Sequence, residues 1–460
     1  MGTSQRLRTE IIVLGCIVLF FLQPGFAQPP SVDQIVSRVD EYMAAAQSVD
    51  RFSGSILVAR DGKPIVSRGY GMANYEWDIP NSPRTVFRLG SITKQFTAAA
   101  IMLLQERGRL STGDSVCKYV AECPPAWEPI TIRNLLTHTS GIPNYTAFPD
   151  WMAKKAVLPV TPMELLAEYK AKPLDFAVGE RYSYSNSGYH LLGLVIEKAS
   201  GKTYPEFLKE NIFAPLGLKH TGYDMARDMI KWRAAGYLRD GEGLVNAPIL
   251  DMLIPYAAGS LYSTTEDLLA WEQALYTEKL LTKRSIDEMF TPFRNNYAYG
   301  WGTGKRFEHA AMSHGGGIYG FSTYLVRYPD DKVTVIVLSN VQGAATEKVA
   351  SALSAIVFGA KYELPKERKA ITLPAEALDQ FVGEYHLPPS ITFTITKEDG
   401  KLMLSIPAQP KMQLFPETPT DFFLKTVDAQ ISFVKDETGK VTHLMFRQGS
   451  GAGMRAAKNK

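Results

Sequence analysis

The chain has 460 residues, 45% hydrophobic and 21% charged, so it can bury a large core and is neither disordered throughout nor collagen-like. Fifty Lys and Arg against 47 Asp and Glu leave +3, with no basic run, which argues against a nucleic-acid binder. At roughly 100–200 residues per domain, the length implies two or three domains.

The first 27 residues read as an address. Arg6 and Arg8 precede an apolar run from Ile11 to Leu22, followed by Pro24 and Gly25-Phe26-Ala27. That layout is a secretory signal cleaved after Ala27, and it predicts a secreted or periplasmic protein beginning at Gln28. The run is short of the ~20 residues that span a bilayer. An uncleaved anchor is the alternative. Val13-Leu14-Gly15-Cys16 resembles a lipoprotein box, but the apolar run continues past Cys16, the wrong order for lipidation.

Removal of the leader leaves Cys117 and Cys123. In an oxidising compartment a lone close pair is most simply a local disulfide, with two reduced buried thiols as the alternative. The histidines show neither His-x-His nor His-Glu-x-x-His spacing, and two cysteines alone lack partners, so no metal site and no cofactor are expected.

In chain order, Ser31 caps a predicted helix carrying Val32, Ile35, Val36, Val39 and Met43 on one face. A hairpin follows, Ser55 to Ala59 and Pro64 to Arg68 around Asp61-Gly62. From Ser91 to Gly108, Ile92, Phe96, Ala99 and Leu103 form a helical stripe. The middle mixes loops with helices such as Tyr189–Ala199 and Thr265–Tyr276. Strands return at Phe321–Tyr328 and Lys332–Ser339, before a helix over Thr346–Phe358. Strands at both ends with helices between them predict one large α/β domain over 28–360, with both ends in one sheet. Residues 361–376 read as a linker. From 377 to 460, short alternating segments (Ile391–Thr396, Lys401–Ile406, Asp421–Leu424, Gln430–Lys435, Val441–Phe446) predict a small β-sandwich or barrel.

Three elements carry chemistry. Ser91-Ile92-Thr93-Lys94 opens the predicted helix, where residues three apart share a face and the Lys94 amine reaches the Ser91 hydroxyl. Serine needs a base, and lysine serves only if burial or a nearby cation lowers its pKa. The pattern alone is weak, since it recurs at Ser115–Lys118 and Ser432–Lys435. The second element is Tyr184-Ser185-Asn186, the chain's single Tyr-x-Asn, which offers a proton relay and an amide. A buried tyrosine with Asn186 capping the next helix is the plainer reading. The third is Ser313-His314-Gly315-Gly316-Gly317, placed directly before a strand, where glycines let a substrate lie along the strand edge.

In this order, with gaps of 93 and 130 residues, the elements resemble the penicillin-recognising serine hydrolases: class C β-lactamases, D-alanyl-D-alanine carboxypeptidases and related esterases. Phe87-Arg88-Leu89-Gly90-Ser91, Leu135-Leu136-Thr137-His138-Thr139-Ser140-Gly141-Ile142 and Ala258-Gly259-Ser260-Leu261-Tyr262-Ser263-Thr264 extend the resemblance, which covers about residues 32–360. The tail resembles the small β domain often appended to these hydrolases. The resemblance implies an antiparallel sheet sandwiched with a helical region, and a small-molecule or peptide substrate between them. Ser91 is implied as the acylated nucleophile, with Lys94 and Tyr184 sharing the proton traffic. Asn186, His314, Gly315 and Gly316 are implied to bind substrate, and the Ser91 and Gly317 N–H groups to form the oxyanion hole. Lys94 and His314, if charged, would depress the Tyr184 pKa. His138 reads as a structural hydrogen-bonding residue.

The third motif departs from the usual Lys-Thr-Gly. His314 replaces a permanent cation and Gly315 removes a hydroxyl, both of which help hold a substrate carboxylate, so efficient β-lactamase action is in doubt. Val178 replaces a proline common in the family, a change of little expected consequence. The expected function is hydrolysis of an ester or amide through a Ser91 acyl-enzyme. The alternatives are a D-alanyl carboxypeptidase or weak β-lactamase, and a non-catalytic binding protein of the same fold, which the intact Ser91, Lys94, Tyr184 and Asn186 argue against.

Overall fold

Ile56 and Val58 alternate with Leu57 and Ala59 along the strand Gly54–Arg60, and all four are buried, so this strand is covered on both faces. It pairs antiparallel with Lys63–Tyr70 on one side and with Val333–Ser339 on the other. The computed structural model describes residues 30–148, 156–225, 227–240, 243–387, 391–406, 411–425, 429–448 and 453–459; the leader read over 1–27 lies outside them. The sheet has six antiparallel strands in the order Gly302–Arg306, His309–Ile318, Phe321–Tyr328, Val333–Ser339, Gly54–Arg60, Lys63–Tyr70. The two ends of the domain thus share one sheet.

Each face of the sheet has its own core. The helices Val32–Asp50 and Thr346–Phe358 lie on one side, where Ile35, Val39, Leu353 and Ile356 pack with Ile56, Val58, Val335 and Val337. Ser31 caps the first of them with a reciprocal bond from Gln34. On the other side lies a helical region built around Thr93–Glu106. The stripe read there is too narrow: every residue from Thr93 to Leu104 is buried, Lys94 and Gln95 included. The helix runs through the middle of its region, where Trp271 stacks on Phe96 and donates to Gln95 Oε1.

Beneath the sheet, Arg327 Nε donates to Glu272 Oε1 at 2.9 Å, with side-chain exposures of 3% and 0%. Thr334 Oγ1 and Gln273 Nε2 donate to the other carboxylate oxygen. Arg327 also lies over the Tyr276 and Phe290 rings.

The tail is a closed barrel of eight antiparallel strands, Gly383–Leu387 through Met454–Lys458, sealed where Tyr385 meets Lys458. Alternate residues such as Ala429, Ile431 and Phe433 point inward, and closure leaves no unpaired edge. The strands Gly383–Leu387, Met412–Pro416 and Met454–Lys458 are absent from the sequence reading. No described helix is long and apolar enough to cross a membrane.

Candidate active site

Ser91 sits in the 3₁₀ turn Gly90–Ile92 that leads into the helix Thr93–Glu106. No side chain caps the turn, so its first N–H groups remain available for developing negative charge. Gly90 has φ +55°, and a Cβ there would stand 3.0 Å from the Gly317 backbone N. This glycine lets the nucleophile turn and the strand His309–Ile318 touch backbone to backbone.

His314 to Gly317 lie within that strand rather than before one, as the sequence reading had it. They pair along one edge with Leu325 to Ser322. On the other edge, pairing to Gly302–Arg306 ends at Ser313, so the stretch from His314 onward faces the cleft. Glycine is poor in strands, which hides this one from its sequence. The reason for it is steric: a Cβ at Gly316 would fall 2.0 Å from the Leu89 carbonyl oxygen. Counted from the two-residue turn at Tyr319-Gly320, the ladder's alternation turns the Gly317 N–H away from Ser322 and towards the nucleophile turn.

Lys94 lies under Ser91 with no exposed surface. Its Nζ contacts Ser91 Oγ at 3.1 Å, Asn186 Oδ1 at 2.9 Å and the Ala258 carbonyl at 2.8 Å. It makes no ion pair among the described residues, and burial holds its pKa well below the ordinary lysine value. The contacts orient the amine once it has lost its proton. Asn186 Oδ1 and Ala258 O only accept, so they take its two N–H bonds. The remaining lone pair points at the Ser91 hydroxyl.

Tyr184 and Asn186 flank Ser185, and it is Ser185, not Asn186, that caps the helix Asn186–Ser200. Asn186 is freed to bind Lys94, and its Nδ2 donates to Thr146 Oγ1 at 3.3 Å. Its backbone N donates to Asn144 Oδ1. Tyr184 bonds to Ser91, and the Lys94 amine lies 4.8 Å from its ring centre. Its pKa is raised, chiefly by burial, with only a smaller opposing effect from Ser91. The expectation of a depressed Tyr184 pKa is therefore reversed: desolvation outweighs any cation, and the phenol stays neutral.

His138 holds this loop from both sides. Its carbonyl accepts from Ser183 N and its Nδ1 from Ser185 N, bracketing Tyr184. Its φ of +56° and its contacts with the Tyr182, Tyr184, Tyr189 and Tyr297 rings fit a positioning role. His314 Nδ1 lies 2.6 Å from the Gly315 carbonyl and Nε2 lies 2.9 Å from Tyr297 Oη. The carbonyl can only accept, so the proton is on Nδ1 and Nε2 accepts from the tyrosine. Burial first, then the Lys94 charge, push its pKa down to about 4. His314 is therefore neutral across ordinary working pH.

His138 and His190 are buried, and burial lowers both, His190 to about 3. The unfolded chain takes up these protons near pH 6.5, while the folded chain does so only well below it. Stability is therefore full above about 6.5 and is lost as pH falls. Each of the two is expected to contribute up to about 1.4 kcal/mol per pH unit below that point. Urea melts between pH 7 and 4 test this, and His190→Asn should flatten the slope.

The other two Ser-x-x-Lys occurrences build nothing comparable. Ser115 caps a short 3₁₀ turn while Lys118 pairs with Asp114. Ser432 and Lys435 lie in one strand, where positions three apart face opposite ways. Cys117 and Cys123 lie with Cα atoms 5.3 Å apart and sulfurs at bonding distance. No cluster of three or more His, Cys, Asp or Glu converges on a metal-sized space among the described residues. Asn144, Thr146 and the Ala258 carbonyl are site members that the motif reading misses. Ala258 opens the stretch Ala258–Thr264 that resembles the family, but a backbone acceptor leaves no residue-type signal.

Comparison with known proteins accords with this geometry. Residues 35–357 match the Beta-lactamase family and residues 367–455 match a domain of unknown function, DUF3471. The chain belongs to the Beta-lactamase family. A penicillin-binding protein of Bacillus subtilis (strain 168) is 31% identical over 426 residues, 87% of this chain and 94% of that protein. Among solved structures, the octameric penicillin-binding protein homologue from Pyrococcus abyssi is 29% identical, with TM-score 0.65 over 92% of this chain and all of that one. A D-stereospecific amidohydrolase from Streptomyces sp. is 27% identical, with TM-score 0.61 over 72% of this chain and all of that one. This β-lactamase-family member is thus a serine hydrolase of the penicillin-binding fold carrying an extra C-terminal barrel.

Proposed function

We propose that the protein is a secreted or periplasmic hydrolase that cleaves a neutral ester or amide through a Ser91 acyl-enzyme. The observation that carries this is the Lys94 amine, unpaired by any acid among the described residues and oriented to take the Ser91 proton. As Ser91 Oγ attacks the carbonyl, Lys94 receives its proton. The new oxyanion is met by the Ser91 and Gly317 N–H groups. Tyr184, a neutral phenol bonded to Ser91, relays a proton to the leaving group, and water reverses the sequence to release the acid.

A cavity of about 200 Å³ beside Ser91 is walled by Leu250, Ile254, Pro255, Ile318 and Tyr319, with Gln342 and Thr146 as polar points and no charged lining side chain among the described residues. That wall and a neutral His314 favour an uncharged substrate over a β-lactam or a peptide bearing a free carboxylate. The likeness to the D-stereospecific amidohydrolase favours including amides. The test is a panel of a chromogenic short-chain ester, a chromogenic cephalosporin, a D-Ala-D-Ala peptide and a D-amino acid amide. The ester or the amide should lead. Turnover led by the cephalosporin or the peptide would overturn the substrate reading.

His314→Lys tests the anchoring argument. It should raise kcat/KM for the carboxylate-bearing substrates relative to the ester by about tenfold, the worth of one charged hydrogen bond at a partly buried site. Gly315 still lacks a hydroxyl, which limits the gain. An unchanged ratio means that position 314 does not meet the substrate. Compartment is tested by mass spectrometry of exported protein, which should begin at Gln28 and show no alkylatable thiol; free Cys117 and Cys123 would contradict the bridge.

A further inference from the structure

The catalytic cleft is not the largest cavity of the molecule. Another, of about 470 Å³, lies where the hydrolase domain meets the barrel. Its walls come from the end of the first helix, Arg239, the start of the helix Thr346–Phe358, the linker at Lys366 to Arg368, and the barrel at Phe423 to Lys425. Six of its seventeen lining residues are Lys or Arg, whereas the chain as a whole carries 50 in 460. The lining acids are two, Asp50 and Glu367. Arg368 is paired with Glu417, but Arg239, Lys348 and Lys366 form no ion pair among the described residues. Arg239 is half-buried and donates to the Asp50 backbone carbonyl; burial lowers its pKa most, the attraction of Asp50 opposes this, and the like charge of Arg51 adds a smaller repulsion. Cations gathered from two domains around one space repel each other unless an anion sits between them. The helix Thr346–Phe358 adds to the field, since Ala345 gives its first turn no side-chain cap.

We propose that this interdomain cleft binds a small phosphate-bearing anion carrying at least two negative charges, held between the hydrolase domain and the linker. Arg239 and Lys348 hold it from the hydrolase side, and Lys366 from the linker. A multivalent oxyanion suits the site because it accepts several charge-assisted bonds at once, which a chloride ion does not.

The probe is inorganic pyrophosphate, titrated calorimetrically into the full chain against sodium chloride of matched ionic strength. Wild type should show saturable heat with pyrophosphate alone. The double variant Lys348→Gln/Lys366→Gln should bind at least about tenfold more weakly, because two charge-assisted bonds are lost. Both lysines lie outside the catalytic cleft, so ester turnover should persist and show that the variant is folded. Lys219→Gln/Lys283→Gln removes the same charge away from this cavity and should bind as wild type does. Absence of saturable heat beyond the chloride control overturns the proposal. So does equal weakening in the two double variants, which would mean that net charge alone attracts the anion.

Discussion

Ser91→Ala is expected to lose at least about a thousandfold in ester kcat, because the covalent route disappears and only binding and the oxyanion donors remain. A fluorophosphonate probe should label wild type at Ser91 and leave this variant unlabelled. Lys94→Met should lose a comparable factor, roughly 10²–10⁴, by removing the base while keeping the volume. It strands the Asn186 and Ala258 oxygens, so its melting curve should be read alongside its rate. Wild-type kcat/KM should rise with pH as Lys94 loses its proton, with a midpoint well below 10.4 because burial disfavours the charge. Unchanged turnover in Ser91→Ala, or labelling at Ser115 or Ser432, would falsify the assignment of the nucleophile.

The second large effect concerns stability. Arg327→Met leaves the Glu272 carboxylate without its cation under the sheet and should cost about 3–5 kcal/mol. Arg327→Met/Glu272→Leu should recover most of that loss, because no buried charge is left unpaired. All six tryptophans precede residue 302 and none lies in the barrel, so tryptophan fluorescence during urea unfolding follows the hydrolase domain alone. If the single variant costs less than about 1 kcal/mol, the pair is wetter than its burial implies.

What could be read before the fold was seen follows from how each signal is written. Strands buried on both faces, such as Val333–Ser339, announce themselves as nearly continuous apolar runs, here Val335 to Leu338. Ser91 and Lys94 are recognisable because one helical turn fixes their spacing. The strand His309–Ile318 is not, since its Gly316 answers to the Leu89 carbonyl, a contact from more than 200 residues away. The raised pKa of Tyr184 and the lowered pKa of His314 are illegible in the sequence for a related reason. Charge can be counted along a sequence, but burial belongs to the assembled fold, and here burial dominates both groups. The pair between Glu272 and Arg327 joins residues 55 apart that carry no local signature.

The pairing of Gly54–Arg60 with Val333–Ser339 also sets a timetable. The first strand leaves the ribosome early and waits for a partner almost 280 residues later, and the strand bearing Gly317 comes only shortly before that partner. Closing so long a loop is an entropic cost that must be met before the contacts that offset it can form, which slows folding. Ser91 therefore lacks the neighbouring Gly317 strand until the chain has been made at least as far as Ser339. On the mechanism proposed above, a partly made hydrolase domain is chemically idle, and hydrolytic power emerges only once the whole domain has been delivered.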